Sequence, residues 1–265
     1  MEIITSAKNA KIKELKKLYR RKWRRRKGRY VLEGFRLTRA ALKAGADLER
    51  IFVTPELAVE EKKLLSELNS RADIVYVDEK LLEELSDTIS PQGITAVVGD
   101  PGYQMDDISG TEPILVLDRI QDPGNMGTLI RTAAAAGFAG IICLKGCVDI
   151  YNLKVLRATM GSIFQLPVVT GETLKSFLTR VSEDHRQLIC CDLSGDRAHY
   201  QLSYSRAHML MIGNEAHGIR PQLLEVADEI IKIPIYGEVD SLNASVAGGI
   251  VIYQSAIQYY GTDPG

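Results

Sequence analysis

Arg131 is the one strongly charged side chain in the small-sided run "IRTAAAAGF" (130–138). A guanidinium in such surroundings is suited to face an anion, because its planar, paired donors match phosphate and carboxylate. Just before it, "DPGNMG" (122–127) turns the chain with two glycines, a proline and Asn125, after the apolar run "ILVLD" (114–118). Two further stretches repeat that arrangement. "MIGNEAHGI" (211–219) places Gly213, the polar pair Asn214 and Glu215, His217 and Gly218 past another apolar strand. "IPIYGEVDSLNASVAGG" (233–249) carries Ile233, Ser241, Leu242 and Asn243 ahead of a helix of small residues. Open α/β sheets bind ligands at strand C-termini, where glycine-bearing loops open helices. Taken singly, each loop is equally compatible with structure alone. "PGN" is then a turn, Arg131 pairs with a carboxylate, Ser241 and Asn243 cap a helix, and His217 sits on the surface. Three such loops at successive strand ends point to one site, because the sheet gathers those ends. A nicotinamide fold is disfavoured, since "DPGNMG" lacks the G-x-G-x-x-G spacing.

The charge distribution indicates a partner. The net charge is −1, yet residues 1–45 hold 16 Lys+Arg against 3 Asp+Glu, and residues 46–112 reverse this with 5 against 16. Such asymmetry points to an anionic polymer. The cations concentrate in "KLYRRKWRRRKGRY" (17–30), interrupted by Tyr19, Trp23 and Tyr30. Cations offset phosphate charge, and exposed aromatic rings stack on unpaired bases. The candidate RNA-binding residues are therefore Arg20, Arg21, Lys22, Trp23, Arg24, Arg25, Arg26, Lys27 and Arg29. The competing reading is a solvated basic helix face with Trp23 in a core.

The 265 residues suffice for one large or two ordinary domains. With 45% apolar and 25% charged residues, the composition is that of an ordinary globular protein. No apolar run reaches the roughly 18 residues of a membrane span, and "MEIITSAKNAKIKELKKL" has no apolar core of a secretory signal. Cys143, Cys147, Cys190 and Cys191 are too few and too clustered for a disulfide framework, so a reduced, cytoplasmic protein is expected. The C-x₃-C pair has no second Cys/His pair to complete a zinc site. Buried thiols and no metal are expected there.

Elements must position these residues. Helical spacing over 5–18 and 33–44, with Ile12, Leu15, Leu18 and then Leu37, Ala40, Ala41 turned inward, precedes alternating strands and helices. Strands are expected at 50–54, 73–78 and 93–99, helices at 57–69 and 79–86. That makes a small α/β domain over 1–100, and the Gly/Pro/Asp-rich 101–113 reads as a linker. The alternation restarts in a second domain, 114–265. Its expected strands are 114–118, 140–144, 166–170, 187–193, 208–213 and 229–235; its expected helices are 127–137, 152–160, 172–182, 220–226 and 244–260. Strands apolar throughout imply a parallel sheet covered on both faces.

Three ordered motifs, "DPGNMGTLIRTAAAAGF", "IGNEAHGI" and "IPIYGEVDSLNASVAGG", resemble those of the SpoU (TrmH-like) RNA ribose 2′-O-methyltransferases of the SPOUT superfamily. The resemblance spans 113–260, and "RATMGSIFQLPV" (157–168) is similar to a segment of the rRNA-acting members. "ITSAKNAKIKELKKL" and "YVLEGFRL" (30–37) resemble the ribosomal-protein-like, RNA-binding domain often fused ahead of the catalytic one. The resemblance implies an α/β fold with a C-terminal trefoil knot, and a homodimer formed through the closing helix. It also implies an S-adenosylmethionine site held by backbone groups around Gly213, Ile233 and Leu242. Asn125, Arg131, Glu215, Ser241 and Asn243 match the family's polar active-site positions. Ribosomal RNA, of the 23S type, is the substrate so implied. The alternatives are a tRNA-directed enzyme or a non-enzymatic RNA-binding factor for ribosome assembly.

A 2′-hydroxyl is a poor nucleophile, so transfer needs alignment and help with the leaving proton. A guanidinium gives up its proton only under strongly basic conditions and is a poor base. Arg131 is therefore expected to bind the adjacent phosphate and lower the cost of the alkoxide, while phosphate or water takes the proton. Asn125 is expected to orient Arg131, Glu215 to order its loop or reach substrate, and Ser241 and Asn243 to line the pocket.

Overall fold

Ile12, Leu15 and Leu18 are fully buried along one face of a helix, as their spacing requires. The structure is a computed structural model that describes residues 2–87, 91–204 and 207–261. In chain order the first elements are β1 (Ile3–Ile4), α1 (Ala10–Leu18), α2 (Arg21–Lys27), β2 (Arg29–Glu33), α3 (Phe35–Lys43) and β3 (Leu48–Val53). They continue with α4 (Pro55–Glu60), α5 (Lys62–Asn69), β4 (Asp73–Val77), α6 (Glu79–Leu85) and β5 (Ile94–Gly99). Asn9, Thr54 and Asp78 cap α1, α4 and α6 by accepting backbone N–H groups. The sheet order is β1-β4-β3-β5-β2. β1, β4 and β3 run parallel, while β5 runs antiparallel to β3 and β2. Three elements of this unit were not expected, the two-residue β1 and, because the basic run is legible only as charge, α2 and β2. α2 ends at Gly28, whose left-handed backbone (φ 60°) turns the chain directly into β2. The helix expected over 57–69 breaks at Glu61 into α4 and α5.

The later elements are β6 (Ile114–Leu117), α7 (Pro123–Ala135), β7 (Gly140–Leu144), α8 (Leu153–Thr159), β8 (Val168–Glu172) and α9 (Leu174–Glu183). Then come β9 (Gln187–Cys191), β10 (Arg197–Ala198), β11 (His208–Ile212), α10 (Pro221–Leu224), β12 (Glu229–Lys232) and α11 (Ala244–Tyr260). The strands form one parallel sheet, ordered β10-β12-β9-β11-β6-β7-β8. Every residue of β6, β7 and β11 is buried, which is why these runs are apolar except at His208, whose Nε2 lies 2.8 Å from Ser255 Oγ. On one face Phe177 and Leu223 pack with Val116, Ile142, Leu188 and Met209. α11 packs on α7 and β11. A side chain at Gly248 would collide with Leu129, so the small residues of α11 serve this close approach.

The chain divides into two compact units, 1–102 with 151–164, and 103–150 with 165–265. Residues 151–164 therefore cluster with the first unit, although they lie inside the expected second domain. Tyr151 stacks on Tyr30 with centroids 4.0 Å apart, and Arg157 pairs with Glu33 and Asp87. Residues 103–113, read as linker, belong to the second unit, where Ile108 joins the core.

Candidate active site

The loop after β6 starts with a buried charge. Asp118 has no exposed surface; Arg220 Nη2 lies 2.6 Å from its Oδ1, and Arg220 N–H donates to its Oδ2 at 3.0 Å. Arg119 follows in a left-handed conformation (φ 58°) rare for a residue with a side chain. Its carbonyl accepts from Asn214 Nδ2 at 2.8 Å, and its Nη2 donates to Gly218 O at 3.3 Å. α7 opens at Pro123, four residues before the expected start. Asp122 Oδ1 accepts Asn125 N–H at 2.8 Å, and proline suits the first helical position. The Asp-Pro pair is the sequence signal for this start.

Asn125 is buried and donates through Nδ2 to Glu215 Oε1 at 3.0 Å. It does not meet Arg131. The two are six residues apart, which places them about 120° apart around the helix. Arg131 is exposed and makes no side-chain hydrogen bond or ion pair among the described residues. Its neighbours Thr132 and Ala134 are only half-buried.

The loop after β11 is built by backbone. Asn214 and Gly218 exchange N–H···O bonds of 3.0 Å each, while Asn214 Oδ1 accepts from Ala216 N and His217 N. A Cβ at Gly213 would fall inside the backbone of Gly218 and Ile219, so only glycine fits. Glu215 is thus held from two sides, by Asn125 and by Asn214 Nδ2 at 3.4 Å.

The third loop leaves β12 through Ile233 and reaches α11 at Asn243. Asn243 Oδ1 accepts Ser245 N–H (2.9 Å) and Val246 N–H (3.3 Å), so this side chain is the helix cap. Ser241 and Leu242 are exposed. A cleft of about 460 Å³ lies between the second and third loops. Gly213, Glu215, Ile233, Ser241 and Leu242 line it, together with Cys191, Ile212 and Ile235. Asn125, Arg131 and Asn243 do not. Among the described residues, the backbone N–H groups of 235–242 donate to no other backbone group. Half-buried apolar walls beside free backbone donors and acceptors fit a neutral heteroaromatic ring and its sugar. Burial pushes the Cys191 thiol up to about 12, so it stays protonated near neutrality and is no nucleophile. Cys143, Cys147 and Cys190 are buried free thiols.

In the first unit the basic run separates into two kinds of cation. Arg20, Arg21, Lys22, Arg25, Arg26 and Lys27 are exposed. Trp23 is half-buried, with Lys17 Nζ 5.0 Å and the Arg26 guanidinium 5.2 Å from its ring. Arg24 instead is buried and donates to Leu18 O (3.0 Å) and Tyr19 O (2.8 Å), closing the α1–α2 turn. Arg29 pairs with Glu49 (2.7 Å) and Glu14 (3.4 Å). The aromatic expectation also changes. Tyr30 is buried under Tyr151, and Tyr19 donates to Glu33 Oε1 at 2.9 Å. Trp23 alone of the three combines a half-buried ring with a cationic frame. Asp118, Arg119 and Arg220 are site-supporting residues that the sequence reading passed over, while Asn214, noted there as one of a polar pair, holds its own turn. The acidic end of "ILVLD" was the available signal.

Residues 112–253 match the SpoU rRNA Methylase family, and residues 9–96 match an MRM3-like substrate binding domain. The chain is 33% identical over 253 residues to the 23S rRNA (guanosine(2553)-2′-O)-methyltransferase RlmP of Bacillus subtilis, covering 96% of this chain and 98% of that one. Its fold is similar to that of an AdoMet-bound rRNA methyltransferase from Sinorhizobium meliloti, with a TM-score of 0.88, 29% identity and coverage of 97% and 98%. It is also similar to the SpoU methyltransferase AviRb from Streptomyces viridochromogenes in complex with AdoMet, with a TM-score of 0.88, 27% identity and coverage of 97% and 100%. With the cleft between the second and third loops falling inside the matched stretch, the chain belongs to the SpoU rRNA methylase family.

Proposed function

We propose that this protein transfers a methyl group from S-adenosylmethionine to a ribose 2′-hydroxyl of ribosomal RNA. The observation that carries this is the cleft between the Gly213–Gly218 loop and the Ile233–Leu242 loop, inside the family-matched region. Backbone groups around Gly213, Ile233 and Leu242 hold the cofactor, and the apolar walls exclude water from it. The bound cofactor supplies an electrophilic methyl on a sulfonium. Arg131 binds the phosphate next to the target ribose and lowers the cost of negative charge on the 2′-oxygen. The proton leaves to phosphate or water, since a guanidinium is a poor base. Glu215, fixed by Asn125 and Asn214, orders the loop that closes the cleft, and Ser241 lines it. The first unit grips the RNA through its exposed cations and Trp23.

Two architectural readings accompany this. After β12, at the far side of β9, the chain returns through 233–243 to lay α11 against α7 and β11, which supports a C-terminal trefoil knot. Val246, Ile250, Tyr253, Ile257 and Tyr260 form an exposed apolar stripe at helical spacing along α11, which supports a homodimer through that helix. Arg131 does not line the cleft of its own chain, which favours an active site completed across that dimer. Free thiols fit a reducing, cytoplasmic setting.

Calorimetry with S-adenosylmethionine in the presence of a chelator, followed by transfer of labelled methyl to rRNA and tRNA, tests the reading. Metal-independent binding and 2′-O-methylated rRNA are expected. Label in tRNA alone would favour the tRNA alternative, and no cofactor binding would leave an RNA-binding factor.

A further inference from the structure

The first unit contains a second cavity, of about 280 Å³, far in chemistry from the cofactor cleft. Buried Leu82 and Ile94 floor it, and Arg36, Gln92, Arg157 and Met160 stand around it. Gln92 Oε1 accepts Phe35 N–H at 2.9 Å, an orientation that leaves its amide donors without a partner among the described residues. Arg157 is fixed at two points, Nη1 donating to Glu33 Oε2 (3.4 Å) and Nη2 to Asp87 Oδ2 (3.1 Å). Its charge is balanced, and its plane is held as a wall. Met160 is an exposed methionine in a left-handed conformation (φ 54°), whose sulfur lies 3.6 Å from Arg36 Nη1. That sulfur is the only recorded partner of the Arg36 guanidinium among the described residues.

We propose that this cavity receives one unpaired base of the substrate RNA, with Arg36 on its phosphate; the assignment rests on the reading that the first unit binds RNA. An apolar floor, a planar guanidinium and a thioether suit the faces of an aromatic ring. Free amide donors suit a base that presents a carbonyl oxygen, as uracil, guanine and cytosine do and adenine does not. An acidic peptide fits less well, because Arg157 is already neutralised by Glu33 and Asp87. RNA proteins that read sequence do so on splayed-out bases in this manner.

The test is Gln92→Glu in the full chain. Glutamate keeps the oxygen that accepts Phe35 N–H and replaces only the donors. Anisotropy would be read with short single strands of U, G, A or C and with a blunt RNA duplex. Wild type is expected to favour U, G and C strands over A strands, and Gln92→Glu to lose about tenfold on the favoured strands. Duplex affinity and salt slope should stay unchanged, which separates a lost base contact from added negative charge. Arg36→Ala should weaken every single strand and reduce the slope. Equal affinity of Gln92→Glu and wild type for all four strands would overturn the cavity assignment. So would an equal loss on the duplex. These outcomes are independent of methyl transfer. A wild-type enzyme that labels rRNA while Gln92→Glu binds normally keeps the methyltransferase reading and loses the pocket. A wild type that transfers no methyl loses that reading, and the strand preferences alone then decide the pocket.

Discussion

At the scale of single residues, the site separates side chains that hold loops from one that is held by nothing. Asn125, Asn214 and Asp118 spend their hydrogen bonds on Glu215, on the turn and on Arg220. Arg131 is exposed, on a helix whose other residues nearby are small, and it is available to an incoming phosphate. Arg131→Ala is therefore expected to lose on the order of a hundredfold in single-turnover methyl transfer, the scale of removing one key electrostatic group. Arg131→Lys should recover little, because an ammonium lacks the planar pair of donors. Cofactor binding and melting temperature should stay near wild type in both, since the side chain makes no hydrogen bond or ion pair among the described residues. Near-normal transfer by Arg131→Ala would remove it from the mechanism. The residue types of this site were legible in the sequence, because three glycine- and asparagine-bearing loops follow successive apolar strands, although each loop alone reads equally as a turn. Their partners were not. That Asn125 meets Glu215 and not Arg131 depends on helix phase, and the phase was set by where α7 begins.

Elements explain that difference. α11 was readable from 244 to 260, since its small and apolar residues run unbroken from an asparagine cap to a glycine. α7 was misplaced by four residues because "DPGN" was taken as a turn, although Asp122 and Pro123 together start a helix. α2 and β2 were hidden inside a run whose charge outweighed its periodicity. The same view of elements divides the roles of Asn243. As the cap of α11 it has a structural task, so Asn243→Ala should cost about 1 kcal/mol in denaturant unfolding, while Asn243→Asp should restore most of it. Activity lost in Asn243→Asp at restored stability would mark a role beyond capping. The outer stripe of α11 gives a separate expectation. Ile250→Glu places a charge in the middle of an exposed apolar row and should halve the mass measured by light scattering. A wild-type mass equal to that of one chain would refute the dimer outright.

Over the whole molecule, charge is segregated so that the first 45 residues are strongly cationic and the next 67 strongly anionic. Within the anionic stretch Glu49 pairs with Arg29, and Asp73 pairs with Arg50 and Lys11. Arg21, Lys22, Arg25, Arg26 and Lys27 of α2 make no ion pair among the described residues. Arg21, Arg25 and Arg26 are exposed, and Arg26 frames the Trp23 ring, whereas Arg24 is turned inward onto Leu18 and Tyr19 carbonyls. Four adjacent arginine and lysine side chains that look alike in the sequence therefore do two different jobs. Replacing Arg21, Arg25 and Arg26 by Ala removes up to three phosphate contacts. The slope of log affinity against log salt should then shrink by about 2 on single-stranded RNA, with cofactor affinity and melting temperature unchanged. Arg24→Ala should do the reverse. It leaves two buried carbonyls without their donor, so the melting temperature should fall while the salt slope keeps its wild-type value. Anisotropy titrations at several salt concentrations, paired with thermal melts, distinguish the two variants. An unchanged slope in the triple variant would make α2 a solvated face and move RNA binding elsewhere on the molecule.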